Sequence, residues 1–510
     1  MAKQDSVFTA QPSQLEMQPV LSLFNAGKLA EAESAANKLA IRYPNTFILH
    51  QILGISQDSL SKFHEAAESY SKALALQPNT ADLHFNLGIT LTNLNRFEDA
   101  EASYRKAIAL QPRFFEAYGN LGTVLQKQGL LEEAEESYRK ALSIHEDPRG
   151  HFNLGTALRD EGKLDEATIH FKQAIKMFPN YADAHNYLGE CYRDQGNMED
   201  AIKCYFDTLA LNQNHAGANY NMGEFLYLAG RFDEAVDYLE RSKLDDWQER
   251  ALYCTYKAEH FDSFKNKLDN IVNTHEKHNA PFLQTLSTHH AVNFGTEDQY
   301  NFCKNGFDFV YQKSIPELAS PDSQFLKDLL NDIDNTAIEA RAQGMIINGK
   351  QSAGNLFKRP EASFRKLGEI VKQEFLNYKN KFAGANCELI KSFPKELEFT
   401  SSWYVRLRRG GYVDRHIHEV GWISGAVYLV LPKDKKDPTE GCFEYGLHGD
   451  NYPQKHNNFP VGIATPSVGD IVLFPSSLFH RTIPFNSNEE RICIAFDLKP
   501  EGNIFIKSSY

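Results

Sequence analysis

Near the C-terminal end, the run YVDRHIH sets Asp414, His416 and His418 at alternate positions, so that on an extended strand all three side chains leave one face. Far downstream, GDIVLFPSSLFHRTIPF carries His480, and beyond the turn NSNEE, Arg491 opens RICIAFDL. Two near imidazoles, a remote third and a following guanidinium are the parts a non-haem iron centre needs to hold an anionic 2-oxoacid. Three protein ligands leave open positions for cosubstrate and oxygen, and an arginine fork grips a remote carboxylate. A His-x-His pair alone is usually incidental, and one histidine in an apolar run is usually core. The weight comes from their order with Arg491 inside one strand-rich segment.

These residues need a frame that gathers them. From Ser401 onward, seven or eight short β-rich runs, among them SWYVRLRR, YVDRHIH, ISGAVYLVL, GCFEYGL, DIVLFP and RICIAFDL, alternate with Gly, Pro, Asn and Asp. That spacing predicts a sandwich or small barrel, whose mouth suits an ion and a small ligand. Ser424 and Tyr428 share a face of ISGAVYLVL, where they can donate to the oxoacid's carboxylates or simply pack. Trp422 and Tyr404 are either substrate-side aromatics or barrel plugs, Cys493 is assigned to packing, and Glu419 is expected on the face opposite His418. Upstream, FLKDLLNDIDNTAIEARAQG and PEASFRKLGEIVKQEFLNYKNKF read as amphipathic helices flanking the turn-rich GKQSAGNLFKRPE, with apolar faces that cover the outside of the sheet.

The segments GYVDRHIHEVGWISGAVYLVLP and GDIVLFPSSLFHRTIPFNSNEERICIAFDL resemble the 2-oxoglutarate/Fe(II) oxygenase family often fused to tetratricopeptide repeats. GKQSAGNLF and CKNGFDFV look like parts of its extended region, so the similarity covers nearly all of 270–510. The resemblance implies a double-stranded β-helix, or jelly-roll, domain over 301–510 with a helical N-terminal extension. It implies His416 and His480 as iron ligands and Arg491 as the clamp on the distal carboxylate of 2-oxoglutarate. The wider superfamily has His-x-Asp where this chain has His-Ile-His, so the third ligand is His418 or, as the alternative, Asp414. Three neutral imidazoles would leave the site one unit more positive than the usual triad. Fe(II), 2-oxoglutarate and O2 are the implied cofactors, with ascorbate as a stimulant and no catalytic side chain beyond the metal centre. The expected activity is hydroxylation of a side chain on a protein or peptide. The competing readings are a non-catalytic repeat scaffold with a degenerate jelly roll, and an oxygenase for a small metabolite.

The first half is periodic. Gly54, Gly88, Gly122, Gly155, Gly189 and Gly223 recur at intervals of 34, 34, 33, 34 and 34. Twelve residues after each stands an alanine, from Ala66 to Ala235, and sixteen after each stands Tyr70, Tyr104, Tyr138, Phe171, Tyr205 or Leu239. Small residues where helices approach and a ring to fill the space behind them are what close antiparallel packing needs, and Pro44, Pro78, Pro112 and Pro179 stop helices. This resembles the tetratricopeptide repeat, with about seven units over 11–245, the first partial, and 246–300 as a degenerate helical cap and linker. His50, His84, His151 and His185 recur too, but a repeat apart they stand about 10 Å from one another, too far to share an ion. His289 and His290 are adjacent and expected to pack or face solvent. Asn86, Asn120, Asn153 and Asn221 each lie two residues before a repeat glycine. The units resemble those of the O-linked N-acetylglucosamine transferases, whose asparagines in this context grip a peptide backbone, although a bridging role between neighbouring units is equally open.

Bulk properties bound the rest. With 510 residues the chain needs more than one folding unit. A net charge of -13 and the lack of any Lys/Arg-rich run argue against nucleic acid. The N-terminus shows no apolar leader and no run is long enough to span a bilayer, which predicts a cytoplasmic protein. Seven scattered cysteines without a CxxC pair fit free thiols.

Overall fold

The computed structural model describes residues 11–499 apart from 245, 275–277, 321, 336–339, 342–344, 353 and 420, and the backbone alone at 340 and 341. The chain divides into two compact units, Met1–Asn219 and Tyr220–Tyr510.

The first unit is a helical solenoid. After the pair Gln14–Asn25 and Leu29–Arg42, each repeat glycine lies on the first helix of a pair, as Gly88 does on Ala81–Asn93, with Phe97–Leu110 returning. A Cβ on Gly88 would stand 2.5 Å from the Tyr104 ring, which explains why the glycine and the ring recur together. The paired alanines Ala66, Ala100, Ala134, Ala167 and Ala201 are all 0% exposed, at the points where no larger side chain fits. Tight turns within a pair use a left-handed residue, Gly162 at φ +79 in one unit and Asn95 at φ 56 in another.

The repeated histidines prove to be carbonyl clasps. His50, His84 and His185 place Nε2 2.7, 2.8 and 3.0 Å from the carbonyl oxygens of Pro44, Pro78 and Pro179. They satisfy carbonyls that proline-terminated helices leave open, a more specific role than the packing expected of them. His151 lacks such a proline and pairs instead with His170 and Glu146.

In the second unit, repeat residues Leu226, Ala235 and Leu239 share one apolar cluster with Leu252, Tyr256, Phe264 and Leu286 of the helices that follow, Trp247–Lys257, Phe261–Thr274 and Pro281–Phe294. His289 and His290 sit inside this packing. Two antiparallel sheets come next. The larger joins β1 (Tyr311–Ser314), β2 (Ala340–Arg341), β3 (Ile346–Ser352), β4 (Phe399–Val413), β5 (Ile423–Val430), β8 (Asp470–Pro475) and β10 (Arg491–Leu498) in the order β1-β8-β5-β10-β4-β3-β2. The smaller is β7-β6-β9, from β6 (Phe443–Gly446), β7 (Val461–Ala464) and β9 (Phe479–Thr482). A helical repeat solenoid followed by an antiparallel region of jelly-roll character is the architecture the sequence predicts.

Strands β5, β8 and β10 are buried almost throughout because both their faces are covered. Outside, the helix Ala362–Lys381 sets Phe375 5.9 Å from Phe496 and 6.1 Å from Phe399, ring centroid to centroid. Such fully buried phenylalanines each contribute about 2–3 kcal/mol by leaving water. Inside, Val405, Leu407, Tyr428, Phe443, Phe474 and Cys493 line an apolar interior. Two details depart from expectation. GKQS, the start of the turn-rich stretch, is the end of β3, and the strand through YVDRHIH stops at Val413, its last residue paired with Ile346 where β3 begins.

Candidate metal centre

His416 and His418 therefore lie just beyond β4 rather than on it. What fixes them is an isolated antiparallel bridge across the two sheets. The N–H of His416 donates to the carbonyl of His480 at 3.0 Å, and that of His480 to the carbonyl of His416 at 2.8 Å. The imidazoles of His416 and His480 come to 4.2 Å, those of His418 and His480 to 4.8 Å. Among the described residues these three form the group able to hold a metal ion, with ligand atoms all within 4.8 Å of one another.

Their outer nitrogens are all committed. Nδ1 of His416 lies 2.7 Å from the Asp414 carbonyl, Nδ1 of His480 3.2 Å from the Leu478 carbonyl, and Nδ1 of His418 2.5 Å from the Asp497 carboxylate. An imidazole that donates from Nδ1 keeps a bare lone pair on Nε2. The Nε2 atoms of His416 and His418 then face each other at 3.2 Å, a repulsive contact unless a cation sits between them. Two imidazole nitrogens bound to one ion at ~2.1 Å stand about 3 Å apart, so the donor set fits a divalent transition metal. Burial, reinforced by His418, holds His416 down at about 4. Burial and its two neighbours also hold His480 well below the usual range. Both rings stay neutral and ready to ligate.

Asp414 stays outside the cluster. It is exposed, and its carboxylate accepts from the backbone N–H of Arg415 at 2.7 Å. Ser424 also departs from its expected role, because its hydroxyl belongs to the support of His418. It stands 2.6 Å from Asp497, 3.0 Å from His418 Nδ1 and 2.7 Å from Ser476. Trp422 is not substrate-facing: it is 2% exposed, donates its indole N–H to the Leu389 carbonyl at 3.0 Å and packs edge-on to Phe302. Tyr404 is core as well, at 3% exposure.

Deeper in the interior lies an anion-ready pair. Arg491 is buried, with Nε donating to the Gly441 carbonyl at 2.9 Å and Nη1 to Cys493 Sγ at 3.3 Å, and among the described residues no carboxylate pairs with it. A guanidinium kept out of water without a counter-charge is costly unless a ligand supplies one. Its carbon lies 5.1 Å from the Tyr428 ring centroid, and the buried Tyr428 hydroxyl lacks a hydrogen-bond partner. The apolar interior runs on to the triad, since Phe474 and Phe443 pack 4.7 and 5.6 Å from His480. This set of donors fits the carboxylate of a small 2-oxoacid.

Two supports escape sequence reading. Asp497 orients His418 and also takes hydroxyl hydrogen bonds from Ser424 and Ser401. Glu444 ties together the neighbours of His416 and His480: Arg481 grips it with two bonds of 2.8 Å, and Arg415 binds the same carboxylate. Burial pushes the Glu444 carboxyl up, but Arg481 and Arg415 outweigh burial and hold it below its usual range. The faint signal was parity along β10, where Asp497 shares the face of Arg491. Beside His418, burial pushes the Glu419 carboxyl up against the pull of Arg250.

In the repeats, Asn86, Asn120 and Asn153 are half-buried, and Asn120 reaches the Tyr104 hydroxyl of the preceding unit. Asn221, in the second unit, is buried.

Comparison with known proteins agrees with this geometry. The family model described as "Putative 2OG-Fe(II) oxygenase" matches residues 401–497, and tetratricopeptide-repeat models match 53–112, 113–180 and 152–211. Among solved structures, YrrB, a repeat protein with an unusual peptide-binding site, is 25% identical over 36% of this chain and 95% of its own, with a TM-score of 0.33. A tetratricopeptide repeat protein from Parabacteroides merdae is 18% identical over 48% of this chain and 98% of its own, with a TM-score of 0.41. No curated protein matches the sequence. No described helix is long and apolar enough to cross a membrane. The chain joins tetratricopeptide repeats, over 53–211, to a domain of the 2OG-Fe(II) oxygenase family, over 401–497.

Proposed function

We propose that this protein is an Fe(II)- and 2-oxoglutarate-dependent dioxygenase that hydroxylates a side chain of a protein or peptide recruited by its repeats. One observation carries the reading: a buried guanidinium without a carboxylate shares an apolar interior with three imidazoles whose lone pairs converge. In this reading residues 11–245 recruit, 246–300 cap and link, 301–510 catalyse, and the protein works in the cytoplasm. With iron bound, the centre supplies oxidative decarboxylation: one oxygen atom of O2 enters a C–H bond of the substrate, and the other enters succinate as carbon dioxide leaves.

The chain's own residues hold and exclude. His416, His418 and His480 would hold the ion through Nε2, each ring kept in place by its Nδ1 hydrogen bond. Arg491 and Tyr428 would grip the distal carboxylate of the cosubstrate and so orient it. Phe443 and Phe474 keep water from His480. Asn86, Asn120 and Asn153 contact the recruited chain, since an amide can donate and accept against any backbone, whereas Asn221, expected to join them, is buried and takes no part. Half-burial of the first three suits a lining position.

Succinate release from 2-oxoglutarate by purified protein with Fe(II) and ascorbate tests the reading. Release should vanish when His416 and His480 are both changed to alanine. Release that survives that double change would remove the metal assignment, and failure of the wild type to bind 2-oxoglutarate in the presence of metal would leave a repeat scaffold.

A further inference from the structure

Strands β6 and β7 are joined by a long connection, residues 447–460, that contains no helix or strand yet is hydrogen-bonded along its length. An ordered connection of that length inside a folded unit is uncommon and usually has a function. Its anchor is the helix Pro281–Phe294. Asn293, 3% exposed, donates from its amide to the Pro453 carbonyl at 3.0 Å and to the Tyr256 hydroxyl at 3.3 Å, and its oxygen accepts the N–H of Lys455 at 2.7 Å. His289, fully buried, has one ring nitrogen 2.8 Å from His448 and the other 2.7 Å from the Tyr256 hydroxyl. The Val292 carbonyl stands 3.1 Å from His456 Nε2, and Phe459 stacks on His289 at 4.7 Å. From the helix Trp247–Lys257, Lys257 donates to the carbonyls of Asp450 and Asn451 at 2.8 and 3.0 Å. A buried polar network with its partners matched holds one arrangement of the backbone.

The other side of this connection meets the residues that precede two of the candidate ligands. The His448 carbonyl accepts from Arg415 Nη1 at 3.4 Å, and Arg415 precedes His416. Gly449 approaches so closely that an added Cβ would stand 2.5 Å from the ring of Phe479 and 2.8 Å from Cγ of Arg415, and Phe479 precedes His480. Neither neighbour yields cheaply, because Phe479 is 1% exposed and the Arg415 contact lies near its backbone. Tyr452 completes the contact, edge-on to Phe479 at 5.0 Å. The same helix reaches the approach to β9 directly, where Thr285 donates to the Ser477 carbonyl at 2.8 Å. Thr285, His289 and Asn293 are spaced by four residues, so a single helix face grips both the connection and the chain leading to His480.

We propose that His289 and Asn293 are positioning residues for the metal centre: acting through the 447–460 connection and Gly449, they set the separation of His416 and His480. The proposal deepens the dioxygenase reading and rests on it for the identity of the ligands. It gives the helices before the sheets a part in the geometry of the centre, beyond capping and linking.

The experiment titrates the full-length wild type, Asn293→Ala and Gly449→Ala with Co(II), whose visible absorption bands report the arrangement of its ligands. Both variants should bind Co(II) about three- to thirty-fold more weakly, and their bands at saturation should shift in position and intensity. Asn293→Asp, which keeps the acceptor for Lys455 and loses the donor to Pro453, should shift them less, and it carries the test if Asn293→Ala does not fold. Leu268→Ala, which opens a cavity in the core beside the helix Phe261–Thr274, controls for lost stability alone and should keep the wild-type affinity and bands. Wild-type bands and affinity in the folded Asn293 and Gly449 variants overturn the proposal and leave the metal centre standing. An equal shift in Leu268→Ala overturns it as well. If the wild type does not bind Co(II), the dioxygenase reading falls and the proposal with it.

Discussion

Replacing Asp497 by asparagine tests the idea that a carboxylate one bond behind the cluster makes His418 a ligand. Asp497 lies 2.5 Å from His418 Nδ1 and is itself held by Ser424 at 2.6 Å and Ser401 at 3.3 Å. Asparagine keeps the shape and can still accept from His418 through its amide oxygen, but it removes the charge that raises the ring's basicity. Losing such a partner typically lowers metal affinity 10- to 100-fold, or about 1.4–2.7 kcal/mol. The metal-free protein should respond in the opposite sense or not at all, because Asp497 is a buried charge, 5% exposed, whose desolvation the substitution relieves. Calorimetric titration with Mn(II), alongside thermal melting without metal, separates the two effects. Weaker Mn(II) binding with an unchanged or raised melting temperature supports the argument. Affinity within two-fold of wild type in a folded variant refutes it, and a large loss of metal-free stability would make Asp497 a structural residue.

Tyr428→Phe removes a buried hydroxyl that has no partner, so the metal-free protein should gain up to about 1 kcal/mol, while titration should find 2-oxoglutarate bound several-fold more weakly. Gly122→Ala would gain about 1 kcal/mol of helix propensity, but the new Cβ would meet the Tyr138 ring at 2.7 Å. That ring cannot turn away, because its hydroxyl donates to Thr123 and Gln126 at 3.1 and 3.2 Å, so a net loss of about 1–3 kcal/mol is expected in helix unfolding followed by circular dichroism. Burial, with His448 adding to it, pushes His289 down to about 3, so the folded chain keeps this ring neutral where the unfolded chain would charge it. Its stabilising contribution is complete above about pH 6.5 and falls by about 1.4 kcal/mol per pH unit below that. All three tryptophans lie in the second unit, so their fluorescence in urea at pH 7, 6 and 5 should show a shallower pH dependence in His289→Gln than in wild type.

What could be read in advance followed from locality. The repeat glycines were legible because every unit repeats one contact, a Cβ-free position under a ring, as at Gly88 and Tyr104. His416, His480 and Arg491 were legible by type and order, since few arrangements call for those groups in one β-rich segment. The failures depended on partners far away in sequence. Alternation in YVDRHIH predicted a strand through His418, but β4 ends when β3, its hydrogen-bonding neighbour, begins at Ile346. Trp422 resembled a ligand-facing ring until the Leu389 carbonyl proved to hold its indole. The Pro-x5-His clasp, present three times, was visible as spacing but crosses from a helix end to the next helix, which no single-helix periodicity reveals.

The exchange of His-x-Asp for His-Ile-His then has a different meaning from the one composition suggests. Counting ligands alone, three imidazoles leave the site one unit more positive than a facial triad. Counting the bonded shell behind them restores the carboxylate as Asp497, hydrogen-bonded to His418 and 5% exposed. Total charge is preserved while its position changes, from an oxygen on the ion to an oxygen behind a ring. A carboxylate held there raises ligand basicity without occupying a coordination position, and it remains anchored by Ser424 and Ser401 whether or not metal is present. The same logic accounts for Glu444, which clamps Arg415 and Arg481 and so ties the backbone on either side of the His416–His480 bridge. Rigidity at this cluster is thus supplied by carboxylates behind the imidazoles and beside the bridge, which leaves Arg491 as a buried cation with no carboxylate among the described residues.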